Sequence, residues 1–143
     1  SFESEWMKRG TALQEEALAQ YERQTFTKVA HIGFVEFSKD FGASPDGLIG
    51  KDGVLEVKCP KFSTLIDYHL TQKIPTDYNL QMQGQLLATS REWCDFYVYH
   101  PKFPPLMQRV YRDATLISQI TAKLAKAIVL ANNRIKLIQE RTK

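Results

Sequence analysis

The chain has 143 residues, of which 43% are hydrophobic and 24% charged, and these values suit one folded domain over residues 1–143 rather than a disordered chain. It has no apolar run of about 18 residues and no signal-peptide pattern at its start, so we expect no membrane span. Two cysteines are too few for a disulfide scaffold or a four-cysteine iron–sulfur cluster, which indicates a cytoplasmic setting. The net charge of +3 permits nucleic-acid binding without demonstrating it.

The first half of the chain predicts a helix followed by three strands. Residues 3–24 are rich in Ala, Leu, Glu and Gln and favour a helix. The predicted strands are 29–37, 43–49 and 54–59, with turns at 38–40 and 50–53. Because the chain begins inside the predicted helix, we expect an N-terminal portion to precede it.

The second half predicts two helices, two strands and a long final helix. The short helices are 63–72 and 77–90, separated by Pro75, and the strands are 92–100 and 106–111, separated by a proline-rich loop at 101–105. Apolar residues from Leu116 to Ile138 recur at helical spacing and predict an amphipathic helix packed on the sheet. This order of elements predicts a mixed β-sheet flanked by helices, in the α/β or α+β class.

A pair of carboxylates beside a lysine is the pattern with the clearest chemical meaning. Glu56 and Lys58 are two apart in an apolar strand, so their side chains share one face, and the tight turn returns Asp46 to their side. Such charges in a central strand need neutralisation, and a hard cation such as Mg²⁺ or Mn²⁺ accepts carboxylates, the Val57 carbonyl and water. The pattern therefore indicates metal-dependent phosphodiester hydrolysis. An ordinary surface hairpin with a Glu–Lys pair is the alternative.

The surrounding motifs resemble one nuclease family. Ser-Pro-Asp-Gly-Leu, the Asp-Gly turn and Leu-Glu-Val-Lys-Cys-Pro are similar to the core of the lambda-exonuclease (phage-type viral recombinase) family, in the PD-(D/E)xK superfamily. Arg9-Gly10-Thr11 with Glu15-Glu16-Ala17, and Tyr78-Asn79-Leu80-Gln81-Met82-Gln83, extend the similarity over residues 7–99.

The resemblance implies a restriction-endonuclease-like fold and a Mg²⁺-dependent exonuclease that acts on double-stranded DNA ends. Members degrade one strand 5′ to 3′ and leave a 3′ single strand. They form a ring-shaped homotrimer and work with a single-strand annealing protein in phage-type recombination, which places this protein in the host cytoplasm.

The resemblance also assigns site residues. Asp46 and Glu56 are expected as metal ligands, Val57 as a carbonyl ligand and Lys58 as the catalytic lysine. Gln81 is expected beside the metal or the scissile phosphate, where its amide positions water or substrate.

Two features depart from the family pattern. Gln14 occupies the position of a helical glutamate, and an amide binds Mg²⁺ more weakly than a carboxylate. Either Glu15 takes the place of the missing glutamate, or a second metal site is weakened, or Gln14 was introduced to disable that site. A fourth interpretation is that Glu15 and Glu16 simply form a solvated helix face. The family's N-terminal Arg and Ser/Thr elements, which hold the 5′ phosphate, have no counterpart before Ser1. If the protein lacks that segment altogether, processive end recognition is in doubt even if hydrolysis survives.

Other basic residues could bind DNA phosphates. Lys61, Lys73 and Arg91 are candidates for this contact, although each residue alone is typical of an ordinary surface. Two further functions stay open: a non-catalytic DNA-binding or assembly protein on the same fold, suggested by Gln14, and an endonuclease of the same superfamily. Cys59 and Cys94 are expected to pack in the core rather than to act as nucleophiles.

Overall fold

The computed structural model describes residues 5–38 and 41–142, with side chains described over 12–36 and 41–142. The predicted helix start at residue 3 and most of the turn at 38–40 lie outside these ranges. The elements in chain order are α1 (Glu5–Thr25), β1 (Val29–Ala30), β2 (Val35–Ser38), β3 (Phe41–Ala43), β4 (Gly47–Ile49), β5 (Gly53–Lys58), α2 (Phe62–Thr71), α3 (Thr76–Thr89), β6 (Trp93–His100), β7 (Phe103–Tyr111) and α4 (Ala114–Arg141).

Five strands form one mixed sheet in the order β1-β4-β5-β6-β7. β5 and β6 are parallel, with Glu56 opposite Phe96, and the other pairs are antiparallel. The chain crosses from β5 to β6 through α2 and α3, as a parallel connection requires. The predicted mixed α/β architecture is confirmed.

The sheet has a core on each face. On one face, Tyr21 of α1 packs with a cluster that includes Leu55, Val57 and Tyr97. On the other, α2 and α3 cover a cluster of buried side chains from both helices and the sheet: Leu48, Val54, Leu65, Tyr68, Met82, Leu86, Cys94, Phe96, Val98 and Leu106. Alternation along β5 therefore places Glu56 on the α3 face, between two residues that face α1.

The predicted strands 29–37 and 43–49 are each divided in two. β1 pairs with β4 in the main sheet, whereas β2 and β3 form a separate two-stranded sheet that contacts α3. Gly47 permits the close pairing of β1 and β4, since a Cβ there would lie 2.2 Å from Val29 Cγ1. The apolar composition of 29–37 correctly predicted strands, but it did not show that β1 and β2 belong to different sheets.

The predicted loop at 101–105 is largely strand. β7 begins at Phe103 and pairs with His100 across a short turn, so Pro104 and Pro105 lie within β7. β7 is the edge of the sheet, where a proline removes no required hydrogen bond on the open side.

The final helix is long, as predicted, but its predicted packing on the sheet is wrong. Among the residues the structure describes, only Ile117 of α4 is buried, and the main helical neighbour of α4 is α3. An 18-residue window of α4 reaches a mean hydropathy of 1.4, so by length and composition this one helix is apolar enough to cross a membrane. The expectation of no membrane span used an uninterrupted apolar run as its criterion, and polar residues interrupt the apolar ones of α4. Length and composition by themselves do not assign α4 to a membrane.

Candidate active site

The β4–β5 hairpin brings Asp46 to the far end of β5. Asp46 directly precedes β4, and Gly50, with a φ of 53°, occupies the tight turn between the two strands. Gly47 then lies opposite Leu55, and Asp46 Oδ2 accepts a 2.7 Å hydrogen bond from the Val57 amide. The hairpin thus fixes the carboxylate against the strand that carries the other charged groups.

Glu56 and Lys58 share one face of β5, as their spacing predicts. Lys58 Nζ lies 2.9 Å from Glu56 Oε1. Glu56 is only 4% exposed, whereas the Lys58 side chain retains 24% of its exposure. The buried carboxylate is therefore paired with a cation that reaches solvent.

Helix α3 supplies two glutamines to this face. Gln81 Oε1 accepts from Lys58 Nζ at 3.4 Å, and the Tyr78 ring centroid lies 4.4 Å from the same ammonium group. Gln85 Nε2 donates to Glu56 Oε2 at 2.8 Å. Gln81 and Gln85 thus fix the lysine and the glutamate respectively.

Gln85 is the site residue that sequence reasoning missed. It lies one helical turn after Gln81, and it is 3% exposed although polar. Within the part of the chain that the structure describes, its Oε1 is buried without a hydrogen-bond partner. A buried unpaired acceptor is costly, so the donated bond to Glu56 accounts for a glutamine here better than packing does.

Helix α1 contributes Gln14 rather than Glu15. Gln14 Nε2 donates to Asp46 Oδ1 at 2.9 Å, whereas the Glu15 side chain is exposed. Of the two residues proposed for this position, the structure brings Gln14 to the carboxylate.

Asp46 has a raised proton affinity, mainly because it is buried. Burial, followed by the negative charge of Glu56, raises the pKa of Asp46 to about 6. The Val57 amide, Lys58 and the Gln14 amide oppose this rise without cancelling it. Asp46 therefore lies in a position where additional positive charge is stabilising.

The donor atoms fit a hard divalent cation. The cluster presents carboxylate oxygens from Asp46 and Glu56 and side-chain amide oxygens from Gln81 and Gln85, and oxygen is the ligand that Mg²⁺ and Mn²⁺ prefer. Among the side chains described, 12–36 and 41–142, no group of three or more His, Cys, Asp or Glu residues is placed to hold a metal. Any ion here would therefore depend on two carboxylates supplemented by neutral oxygens and water.

The three basic residues proposed for DNA contact lie in different settings. Lys61 is exposed at the start of α2, close in sequence to Lys58, and Lys73 is exposed after α2. Arg91 Nη1 donates to the carbonyl oxygens of Gly50 and Gly53 at 3.0 and 2.9 Å, so it holds the hairpin turn at the opposite end of β5.

The cysteines contribute no nucleophile. Cys94 is fully buried in the core, as expected, and Cys59 is half-buried. Burial raises the pKa of Cys59 to about 11, with further contributions from Asp46 and Glu16. The Cys59 thiol therefore stays protonated and unreactive at neutral pH.

Fold and site together define a nuclease of the PD-(D/E)xK class: a mixed sheet whose β4–β5 hairpin brings Asp46, Glu56 and Lys58 together at the end of β5. The model of the YqaJ-like viral recombinase domain matches residues 1–92, and the chain belongs to this family. The predicted membership in the phage-type viral recombinases is confirmed.

Solved structures agree with this assignment. The chain is 34% identical to an alkaline exonuclease, LHK-Exo, from Laribacter hongkongensis, with a TM-score of 0.89 over 95% of this chain and 73% of that one. LHK-Exo in complex with dAMP gives 33% identity and a TM-score of 0.90 over 99% and 76% of the two chains. A phage-related exonuclease from Haemophilus somnus 129PT shares the fold, at 15% identity and a TM-score of 0.74 over 96% and 76% of the chains. No curated protein sequence matches the chain.

Proposed function

We propose that this protein is a Mg²⁺-dependent exonuclease that acts on double-stranded DNA ends in phage-type recombination. It degrades one strand 5′ to 3′ and leaves a 3′ single strand. The observation that supports this most directly is the convergence of three charged groups at the end of β5: Lys58 is ion-paired with Glu56, and Asp46 is bonded to the Val57 amide between them. Membership in the viral recombinase family and similarity to an alkaline exonuclease support the same conclusion.

Asp46, Glu56 and the Val57 carbonyl would hold the Mg²⁺, and Mn²⁺ would substitute for it. When bound, the cation stabilises the negative charge that develops on the phosphate under attack. Gln85 and Gln14 restrain the two carboxylates through their amide N–H groups. This restraint keeps the ligand oxygens in place before the ion binds.

Lys58 and Gln81 orient the attacking water. The Lys58 ammonium is partly exposed and lies between Glu56 and Gln81, so it can donate to a water or to a phosphate oxygen. The Gln81 amide provides a second contact, an uncharged one, for the same water or substrate. The arrangement favours in-line attack at a phosphate seated over the carboxylates.

Linear duplex DNA with Mg²⁺ provides the direct test. The wild-type protein should release mononucleotides, and duplexes labelled at the 5′ or the 3′ end should report the polarity. Lys58→Ala should lower the rate at least about 100-fold, because a positioned acid–base group contributes on that order. DNA affinity, measured with Ca²⁺ in place of Mg²⁺, should be largely retained.

Lys51→Ala is the matched control, since Lys51 is an exposed lysine in the turn at the other end of the hairpin. A well-folded Lys58→Ala variant that loses binding and cleavage equally would contradict a catalytic role for Lys58. Cleavage of closed circular DNA would favour an endonuclease instead.

Gln14 favours one further candidate function, a catalytically weakened DNA-binding or assembly protein on the same fold. The Gln14 amide occupies Asp46 Oδ1 without adding a carboxylate. If the site is weakened, the wild-type protein should bind duplex ends without degrading them, and Gln14→Glu should raise both Mn²⁺ affinity and hydrolysis. Hydrolysis by the wild-type protein would dismiss this candidate.

The proposed assembly is a homo-oligomer, by family resemblance a trimer, that acts in the cytoplasm with a single-strand annealing protein. Lys61, Lys73 and Arg91 are the proposed phosphate contacts. Light scattering tests the mass of the assembly. Alanine variants of Lys61 and Lys73 should weaken DNA binding and reduce its dependence on salt.

A further inference from the structure

Four aromatic rings contact one another on the surface where α2 begins and β6 turns into β7. The rings of His100, Phe62, Phe103 and His69 meet edge to face in that order, with centroids 5.5, 5.8 and 5.2 Å apart. Phe62 is 46% exposed and Phe103 is 39% exposed. His69 Nε2 also lies 2.9 Å from the Pro104 carbonyl oxygen, so the contact joins α2 to β7. We call these four rings the aromatic cluster.

The aromatic cluster lies at the same edge of the sheet as the proposed active site. β5 and β6 are parallel, and Lys58 at the end of β5 pairs with Val98, two residues before His100. Phe62 begins α2 four residues after Lys58. The helices α2 and α3 cover the same face of the sheet, which is the face that carries Lys58. A DNA chain that leaves the active site towards β6 therefore reaches the aromatic cluster.

Positive charge flanks the aromatic cluster. Lys61 and Lys102 are exposed, and each directly precedes one of the two phenylalanines. The first turn of α2 contains no acidic residue, and its single acidic residue, Asp67, lies in the second half of the helix. Lysine is depleted at interfaces between proteins, whereas lysines beside exposed aromatic rings are typical of surfaces that bind single-stranded nucleic acid. Charge and composition therefore favour a nucleic-acid strand over a protein as the occupant.

We propose that the aromatic cluster binds the unpaired 3′ strand that remains when the other strand of a duplex end is hydrolysed. Bases of this strand stack on the exposed faces of Phe62 and Phe103, and Lys61 and Lys102 contact its phosphates. Because the rings already hold one another in place, they lose little conformational freedom when a base binds. This proposal rests on the proposed nuclease function and adds a binding site for the single strand of its product.

Three DNA ends on the same duplex test the proposal: a blunt end, a 3′ tail of thymidines, and an equally long 3′ tail of abasic sugar-phosphates. Affinity is measured by fluorescence anisotropy with Ca²⁺ in place of Mg²⁺, so that binding is observed without hydrolysis. The blunt end gives the affinity of the duplex alone. The wild-type protein should bind the thymidine tail about fivefold or more tightly than the abasic tail, which is the lower end for one base stacked on an aromatic side chain.

Phe62→Ala and Phe103→Ala should each bring this ratio of affinities towards one. Lys102→Ala should weaken the binding of both tails equally and leave the ratio unchanged, because a phosphate contact does not depend on the base. Phe26→Ala is the matched control, since Phe26 is 97% exposed and follows α1, which packs on the opposite face of the sheet. It should keep the wild-type ratio.

Equal affinity of the wild-type protein for the two tails would overturn the proposal, as would an unchanged ratio in the folded Phe62→Ala and Phe103→Ala proteins. If the ratio were unchanged and the molar mass of these variants fell in light scattering, a second copy of the chain would cover the rings instead. None of these results bears on the nuclease proposal, which is judged by the release of mononucleotides from linear duplex DNA.

Discussion

At the scale of single residues, the folded protein disfavours the ionised form of Asp46. Its pKa is raised to about 6, so in the metal-free protein ionisation of Asp46 lowers stability above that pH. This destabilisation disappears as the pH falls towards the unfolded value of about 4. Asp46→Asn should therefore melt at a higher temperature than the wild type in EDTA at pH 8, and the difference should shrink at pH 5. Saturating Mn²⁺ should reverse the order, because only the wild type keeps both carboxylates.

Thermal unfolding with and without EDTA measures this effect. A difference between the two proteins that does not change from pH 8 to pH 5 would show that Asp46 is not perturbed by its neighbours. If Mn²⁺ stabilised both proteins equally, Asp46 would not be a ligand.

A substitution at Gln85 can show whether this residue positions Glu56 for metal binding or only stabilises the fold. Gln85→Met keeps the side-chain volume, removes the unpaired buried Oε1 and deletes the N–H donated to Glu56. We expect the melting temperature to fall by no more than a few degrees, because removing the orphaned Gln85 Oε1 offsets part of the cost of leaving Glu56 Oε2 without its donor. Mn²⁺ affinity, measured by titration calorimetry, should fall by about 10-fold or more, as is typical when a ligand loses its orienting partner. A large loss of stability at unchanged Mn²⁺ affinity would make Gln85 merely structural.

The sequence predicted the charged residues of the candidate site but not how the glutamines of α3 contact them. Asp46, Glu56 and Lys58 could be found because a two-residue spacing in a strand and a tight turn determine their placement almost alone. Gln81 and Gln85 are separated by one helical turn, and nothing in the local pattern shows whether that face of α3 meets β5 or solvent. Their packing depends on the crossover from β5 to β6.

At the scale of elements, a buried charge joins α1 to the sheet. Asp95 of β6 is fully buried, and its carboxylate accepts from Tyr21 of α1 at 2.6 Å and from Arg109 of β7 at 2.8 and 3.1 Å. Arg109→Met would leave that carboxylate without its counter-ion. We expect unfolding in urea to show a loss of about 3 kcal/mol, in the range for breaking one side of a buried pair.

Adding Asp95→Leu to Arg109→Met provides the check on this explanation. The double variant should recover part of the lost free energy, since the buried charge has been removed with its partner. If the free energy of unfolding fell further in the double variant, the Tyr21–Asp95 hydrogen bond would contribute more to stability than the uncompensated charge costs.

Boundaries between elements were the part of the fold that local sequence described least well. Residues 29–37 have a continuous β composition, yet β1 and β2 belong to different sheets. Likewise, Pro104 and Pro105 predicted a loop but lie in β7, because an edge strand has one side free of pairing. Both outcomes depend on neighbouring strands that come from elsewhere in the chain.

At the scale of the whole molecule, α4 extends well beyond the contacts that hold the fold. Ile117 is buried and Ile120 lines a cavity between β3 and α3, whereas every described residue from 131 onwards is exposed. A chain that ends at Leu130 should therefore melt within about 2 °C of the full chain, because little buried apolar area is lost. The last turns also expose Ile135, Leu137 and Ile138, so the molar mass of both forms should be measured by light scattering. A fall of more than about 5 °C together with a lower mass would instead show that these side chains are covered in an oligomer, since coupling of assembly to folding raises the melting temperature.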